Sequence, residues 1–125
     1  MTVEDAIAAA EAVLPGHAAP DGEKDPRWQA IICVGEFVRT DPEAVWSFVL
    51  RWGGSADADL RMAVATCLLE HLLDYQFERF IERVEHAARA QPLFADTVSH
   101  CWLDQAAIDP ARAQRLGMSV RQAPD

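Results

Sequence analysis

The chain has 125 residues, and its 11 basic against 20 acidic side chains give a net charge of −9 at neutral pH. One domain of this length buries roughly two-thirds of its unfolded surface, so a hydrophobic core is feasible. The acidic balance, with Lys24 as the single lysine, disfavours nucleic-acid binding, which depends on clustered basic side chains.

The first predicted element is a helix over 3–14, followed by a linker rich in Pro, Gly and charged residues over 15–25. Glu4, Asp5 and Glu11 lie where a signal peptide would carry positive charge and an unbroken apolar run. The three cysteines are an odd number without close pairs, which favours a reducing compartment over a disulfide framework. We therefore expect a cytoplasmic protein that does not contact a membrane.

The rest of the chain shows helical patterning and no strand pattern. Asp-Pro pairs at 25–26, 41–42 and 109–110 are typical of an N-cap followed by Pro in the first helical position. The predicted helices span 26–39, 42–52, 58–73, 76–90, 93–104 and, weakly, 110–117. We expect the tail over 105–125 to be loosely structured.

The sequence repeats itself with a period of about 34 residues, which is typical of helical-repeat proteins. A shift of 34 places Cys33 on Cys67 and Cys67 on Cys101, so the three cysteines share one position. The same shift places Arg27 on Arg61. An adjustment of one residue also aligns the helices that follow. The predicted unit is a helical hairpin, present twice and then halved.

This unit resembles a HEAT-type repeat of the armadillo/HEAT class. The segments LRMAVATCLLEH at 60–71 and CVGEF at 33–37 match its first helix, whereas the Trp and Gly pattern of tetratricopeptide repeats is absent. The resemblance implies an all-α, short right-handed stack of antiparallel helix pairs with about two and a half repeats. The single domain 1–125 then has an N-terminal helix and linker over 1–25 and a repeat core over 26–104.

In such a stack, the apolar stretch DLRMAVATCLLEHLLDY at 59–75 is the central helix, covered by its neighbours. Its side chains near the exposed rim should be Asp59, Arg61, Met62 and Glu70. The cysteine position faces the core in this register. We therefore expect all three thiols to be buried and reduced.

The four tryptophans fall into two groups. Trp46 and Trp102 occupy core positions of the repeat and are expected to be buried. Trp28 and Trp52 are expected to be partly exposed, and Trp52 lies beside Arg51 at a helix end. An exposed aromatic next to arginine is typical of an interface anchor, although a helix-end tryptophan also folds back over a core.

Two arrangements of polar residues are candidates for chemistry. Cys67 and His71 are one helical turn apart, and His100 adjoins Cys101, so a Cys/His metal site can be imagined. The shared cysteine position favours core packing instead, and we expect no metal and no cofactor. Acidic and basic residues that alternate at helical spacing indicate a solvated, salt-bridged face rather than catalytic carboxylates; they are Glu78, Glu82, Glu85, Arg79, Arg83 and Arg89. We expect no enzyme activity.

The repeat pattern and the acidic balance favour a protein-binding module. HEAT-like stacks bind through the second helix of each pair, and the candidate binding residues on those helices are Glu43, Ser47, Arg51, Trp52, Glu78, Glu82, Arg83 and His86. A second set on the first-helix rim comprises Trp28, Glu36, Glu70 and His71. The acidic balance favours a basic protein partner.

A short stack suits a compact partner, such as a small toxin or effector domain that the chain would neutralise. Small acidic bacterial proteins often act as immunity proteins or antitoxins in this way. The alternatives are an adaptor or scaffold role in a larger complex and a HEAT-like enzyme or accessory factor related to DNA repair or bilin lyases. The oligomeric state stays open.

Overall fold

The computed structural model describes residues 1–16, 25–101, 111, 114 and 115, and these are helical with short connections and no strand. The helices are α1 (Val3–Val13), α2 (Pro26–Gly35), α3 (Pro42–Trp52), α4 (Ala58–Val64), α5 (Glu70–Ala90) and α6 (Pro92–Ser99). The predicted all-α fold class is confirmed. None of the helices in this part of the chain is long and apolar enough to cross a membrane.

Local capping explains where the helices begin. Thr2 and Asp5 form a capping box at the start of α1. The carboxylate of Asp25 accepts a hydrogen bond from the Arg27 amide at the start of α2, as the Asp-Pro pattern predicts. Asp41 precedes α3 without capping it, since its carboxylate accepts a hydrogen bond from the Thr40 hydroxyl instead. The third Asp-Pro pair lies outside the described residues.

Two helices end earlier than predicted. Helix α2 ends at Gly35, and the chain then turns through short-range bonds such as Phe37 N–H to the Val34 carbonyl. Gly35 packs closely against the backbone of Cys67, because it has no side chain. An added Cβ would lie 2.7 Å from the Cys67 carbonyl oxygen. Helix α6 ends at Ser99. His100 and Cys101 follow it without helical structure, and the last part of the predicted helix 93–104, with Trp102, lies outside the described residues.

The helices over 58–90 form one continuous run with two irregularities. A π-helical turn, Ala65–Leu69, joins α4 to α5, and the sequence pattern does not predict it. Gln76 has non-helical backbone angles of φ −140° and ψ 53° and divides α5 into two halves. This kink matches the predicted boundary between the helices at 58–73 and 76–90.

The run from α4 through the π-helical turn lies at the centre of the molecule. It contacts α2, α3 and α6, while α1 covers the outer side of α2 and also touches α3. The fully buried large side chains include Ile31, Leu60, Leu68, Leu72, Phe80 and Phe94. Trp46 is buried as predicted and contacts Phe80 and Phe94 at ring-centroid distances of 5.8 and 6.2 Å. The apolar stretch at 59–75 is therefore a central helix.

Two arginines are buried in this core, and the prediction that Arg61 lies at the exposed rim is wrong. Arg27 is only 2% exposed and Arg61 only 9%. Arg61 donates hydrogen bonds to Asp96 at 3.0 Å and to the Ser55 carbonyl at 2.8 Å. These partners satisfy the guanidinium, which makes burial of the charge tolerable. The other predicted rim side chains are exposed or half-buried: Asp59, Met62 and Glu70.

The three cysteines are free thiols, and each is half-buried rather than fully buried as predicted. Cys67 borders a surface groove between α2 and the π-helical turn, which explains its partial exposure. The Cys101 thiol lies 3.8 Å from the carbonyl oxygen of Ala65. Burial raises the pKa of both thiols, of Cys67 and of Cys101.

Candidate functional site

A groove of about 480 Å³ lies between α3 and the second half of α5. We call it the α3–α5 groove, and it is lined by Trp46, Leu50, Glu82, Arg83, His86, Ala87, Ala90 and Gln91. Its floor is mostly apolar, and its charged side chains lie on the α5 side. This combination is typical of ligand-binding and protein-binding sites.

The floor of the groove follows from residue spacing on two helices. Trp46 and Leu50 are one turn apart, so they share the face of α3 that points toward α5. Trp46 is almost fully buried, whereas the Leu50 side chain is 42% exposed. Ala87 and Ala90 on α5 are small and leave the space open. Leu50 is therefore an apolar contact surface presented to solvent.

Glu43 on α3 pairs with two arginines of α5, of which Arg83 lines the groove. Its carboxylate lies 2.9 Å from the Arg79 guanidinium and 2.7 Å from that of Arg83. Both guanidinium groups also lie over the Phe80 ring, at 5.5 and 5.1 Å from its centroid. The hydrogen bond from Arg83, supported by Arg79, lowers the pKa of Glu43, and the same bond raises the pKa of Arg83. Both ion pairs therefore form at neutral pH.

Glu82 and His86 form the outer rim of the groove and are exposed. Within the described residues, the Glu82 carboxylate has no hydrogen bond or ion pair. Arg115, whose charge acts on Glu82 through space, is held by Glu85 through two hydrogen bonds of 3.0 and 3.1 Å. Among the described residues, the rim therefore carries one carboxylate without an ion-pair partner.

Trp52 and Arg51 lie on the other side of α3, toward α1. The indole N–H of Trp52 donates to the Glu11 carboxylate at 3.4 Å, and Arg51 forms an ion pair with Glu11 at 2.9 Å. The Trp52 ring is 6.4 Å from the Phe48 ring and packs against the core. Trp52 is half-buried, as expected, but the structure does not bring it into the α3–α5 groove.

The structure brings together half of the residues predicted to form the binding face. Glu82, Arg83 and His86 line the groove, and Glu43 accepts a hydrogen bond from Arg83. The others lie elsewhere on α3 and α5: Ser47, Arg51, Trp52 and Glu78. Sequence reasoning missed the apolar floor, including Leu50. Its position one turn after the buried Trp46 is the signal that could have identified it.

The first-helix rim forms a second, smaller groove of about 280 Å³ between α2 and the π-helical turn. Glu36 and His71 line it together with Cys67. The Trp28 indole instead donates to Asp59 at 2.9 Å, and Glu70 does not line this groove. Among the described residues, no three His, Cys, Asp or Glu side chains are grouped so that they could hold a metal ion.

Comparison with known proteins identifies a family and no individual relative. No curated protein and no solved structure matches the chain. A family model matches residues 17–122, which include every helix described above except α1. The chain therefore belongs to DUF6869, a family of unknown function.

Proposed function

We propose that this chain is a protein-binding module and that the α3–α5 groove is its binding site. The observation that carries the proposal is the exposed Leu50 side chain, which lies over an apolar floor next to a charged rim. An apolar centre with a polar rim is the usual anatomy of a protein interface. A volume of about 480 Å³ is in the range that accepts anchoring side chains.

We infer that the scaffold is a short HEAT-like, right-handed stack of about two and a half helix pairs. Two observations support this arrangement. Helix α2 contacts α4, and α4 contacts α6, as successive first helices of a stack do. Arg27 and Arg61, which are 34 positions apart, each bond to aspartates of the next first helix: Arg27 to Asp59 and Arg61 to Asp96. On this basis α3 and the second half of α5 are the second helices.

The partner that fits this module best is a compact protein more basic than the chain itself. The net charge of −9 attracts basic proteins at long range and speeds their association. So short a stack does not wrap an extended partner, whereas it covers one face of a small domain. We therefore propose neutralisation of a small toxin or effector, with the chain as an immunity protein or antitoxin; an adaptor role in a larger complex is the alternative.

The proposal is tested by affinity capture from the source cell with paired variants. Leu50→Arg places a charge in the groove, and Ile32→Arg places the same charge on α2. The two side chains are matched, since they are 42% and 44% exposed. We expect a basic protein to be captured by the natural chain and by Ile32→Arg, and to be lost with Leu50→Arg.

Thermal unfolding of each variant confirms that the protein used for capture is folded. Equal capture by Leu50→Arg and the natural chain would place the binding site outside the groove. Loss of the partner only with Ile32→Arg would move the site to the first-helix rim.

A further inference from the structure

We propose that the α3–α5 groove selects a basic amphipathic segment of its partner, and that Glu43 sets this preference by neutralising Arg83, which lines the groove, and Arg79, one turn before it. The inference rests on the proposed protein-binding function and names the chemistry of the bound segment. The segment would place an apolar side chain on Leu50 and a Lys or Arg side chain on Glu82.

Arg79 and Arg83 are already paired with a carboxylate of the chain itself. Arg83 lines the groove and by itself would attract acidic groups. Arg79 precedes it by one helical turn. Both guanidinium groups contact the Glu43 carboxylate, at 2.7 and 2.9 Å. An acidic ligand would have to compete with Glu43 for them, so these cations contribute little to binding.

The rim carboxylate of Glu82 is exposed to solvent. Glu82 borders the apolar floor and forms no ion pair within the described residues. The Arg115 guanidinium, which acts on Glu82 through space, is engaged by both carboxylate oxygens of Glu85. A basic side chain of a partner therefore finds Glu82 available, and charge complementarity favours it.

The floor of the groove fits an apolar side chain of the occupant. Leu50, Ala87 and Ala90 offer apolar surface on both walls of the groove. On a bound helix, residues three or four positions apart lie on one face. An apolar residue and a basic residue at that spacing would reach the floor and the rim together. We therefore expect a helix-in-groove mode of recognition.

The test uses two fluorescently labelled helical peptides of the same length, one with Leu and Arg on one face and one with Glu in place of every Arg. Fluorescence anisotropy measures their affinities for the natural chain. Three variants carry the same change in net charge: Glu43→Gln, Glu82→Gln and, as the control on α2, Glu36→Gln. Leu50→Arg reports whether binding uses the groove.

We expect the natural chain to bind the basic peptide at least about tenfold more tightly than the acidic one. Glu82→Gln should weaken binding of the basic peptide by about fivefold, as for a single accessible ion pair. Glu43→Gln should strengthen binding of the acidic peptide, because it frees Arg79 and Arg83. Glu36→Gln should leave the preference close to that of the natural chain.

The inference is overturned if Glu43→Gln and Glu36→Gln give the same preference, or if the natural chain binds neither peptide or does not distinguish them. If the preference is absent while Leu50→Arg still abolishes peptide binding, the groove binds protein segments without the proposed selection by charge. In that case the proposed function stands and this inference fails.

Discussion

The guanidinium Nη1 of Arg27 lies 2.8 Å from Oδ2 of Asp57, and this ion pair joins the start of α2 to the start of α4. Arg27 is 2% exposed and also bonds to Asp59 at 2.7 Å and to the Pro15 carbonyl at 2.9 Å. Burial alone would lower the pKa of Arg27, but its hydrogen bonds with Asp25 and Asp57 raise it. One buried cation therefore connects three segments of the chain.

We expect Arg27→Met to destabilise the protein by about 3 kcal/mol, because it leaves clustered aspartates without their cation and a carbonyl without its donor. Urea unfolding of the natural chain and the variant measures this difference. Arg39→Met is the matched control, since Arg39 is exposed and stacks on the Tyr75 ring at 4.0 Å. Equal free energies of unfolding for the two variants would show that the buried network does not stabilise the fold.

The same network predicts a pH dependence of stability. Burial alone would raise the pKa of Asp57, but hydrogen bonds from Arg27 and from the Leu60 amide outweigh it and hold the pKa below its ordinary value of 3.8. The folded state therefore binds this proton less readily than the unfolded state. The stabilisation is complete above pH 3.8 and is lost as the pH falls through the folded pKa.

Asp57→Asn should accordingly lower the free energy of unfolding at pH 7. The difference in this free energy between the variant and the natural chain should shrink as the pH falls below the ordinary pKa of an aspartate. Urea unfolding of the natural chain and the variant at pH 7 and at a pH below 3.8 measures the effect. Asp41→Asn is the control, because the Asp41 carboxylate bonds to the Thr40 hydroxyl and not to an arginine. If the difference in the free energy of unfolding between Asp57→Asn and the natural chain grew on acidification, the lowered pKa of Asp57 would be contradicted.

Trp52 should stabilise the junction between α1 and α3 rather than bind a partner. Its indole N–H bonds to Glu11, and its ring packs beside Phe48. We expect Trp52→Ala to destabilise the protein by about 2 kcal/mol and to leave the affinity for the basic peptide unchanged. Thermal unfolding and fluorescence anisotropy separate these effects. A large loss of affinity at unchanged stability would restore Trp52 as an interface anchor.

The thiols should differ in reactivity, since the thiolate is the reactive species and burial raises the pKa of Cys67 and Cys101. We expect iodoacetamide to alkylate both more slowly than Cys33 in the native protein at pH 8. Mass spectrometry of the digested protein measures each site, and the urea-unfolded chain provides the reference. Cys101 labelled as fast in the native as in the unfolded chain would contradict its packing against the Ala65 carbonyl.

The sequence predicts those parts of the fold that depend on local chemistry. Helix α3 begins at Pro42 and ends at Trp52 as predicted, because Pro42 favours the first helical position and Gly53 and Gly54 follow the last turn. The burial of Arg61 was not predictable in this way, since its partner Asp96 is 35 positions away in sequence. The groove likewise depends on how two helices pack, so periodicity indicated the exposed charges of α5 but not the role of Leu50.

Photo-crosslinking in the source cell tests the central claim most directly. A photoreactive amino acid at position 50 reports contacts in the α3–α5 groove, and the same residue at position 32 reports contacts on α2. We predict that a basic protein is cross-linked from position 50 and not from position 32. Cross-linking of a partner from position 32 alone would contradict the assignment of the groove as the binding site.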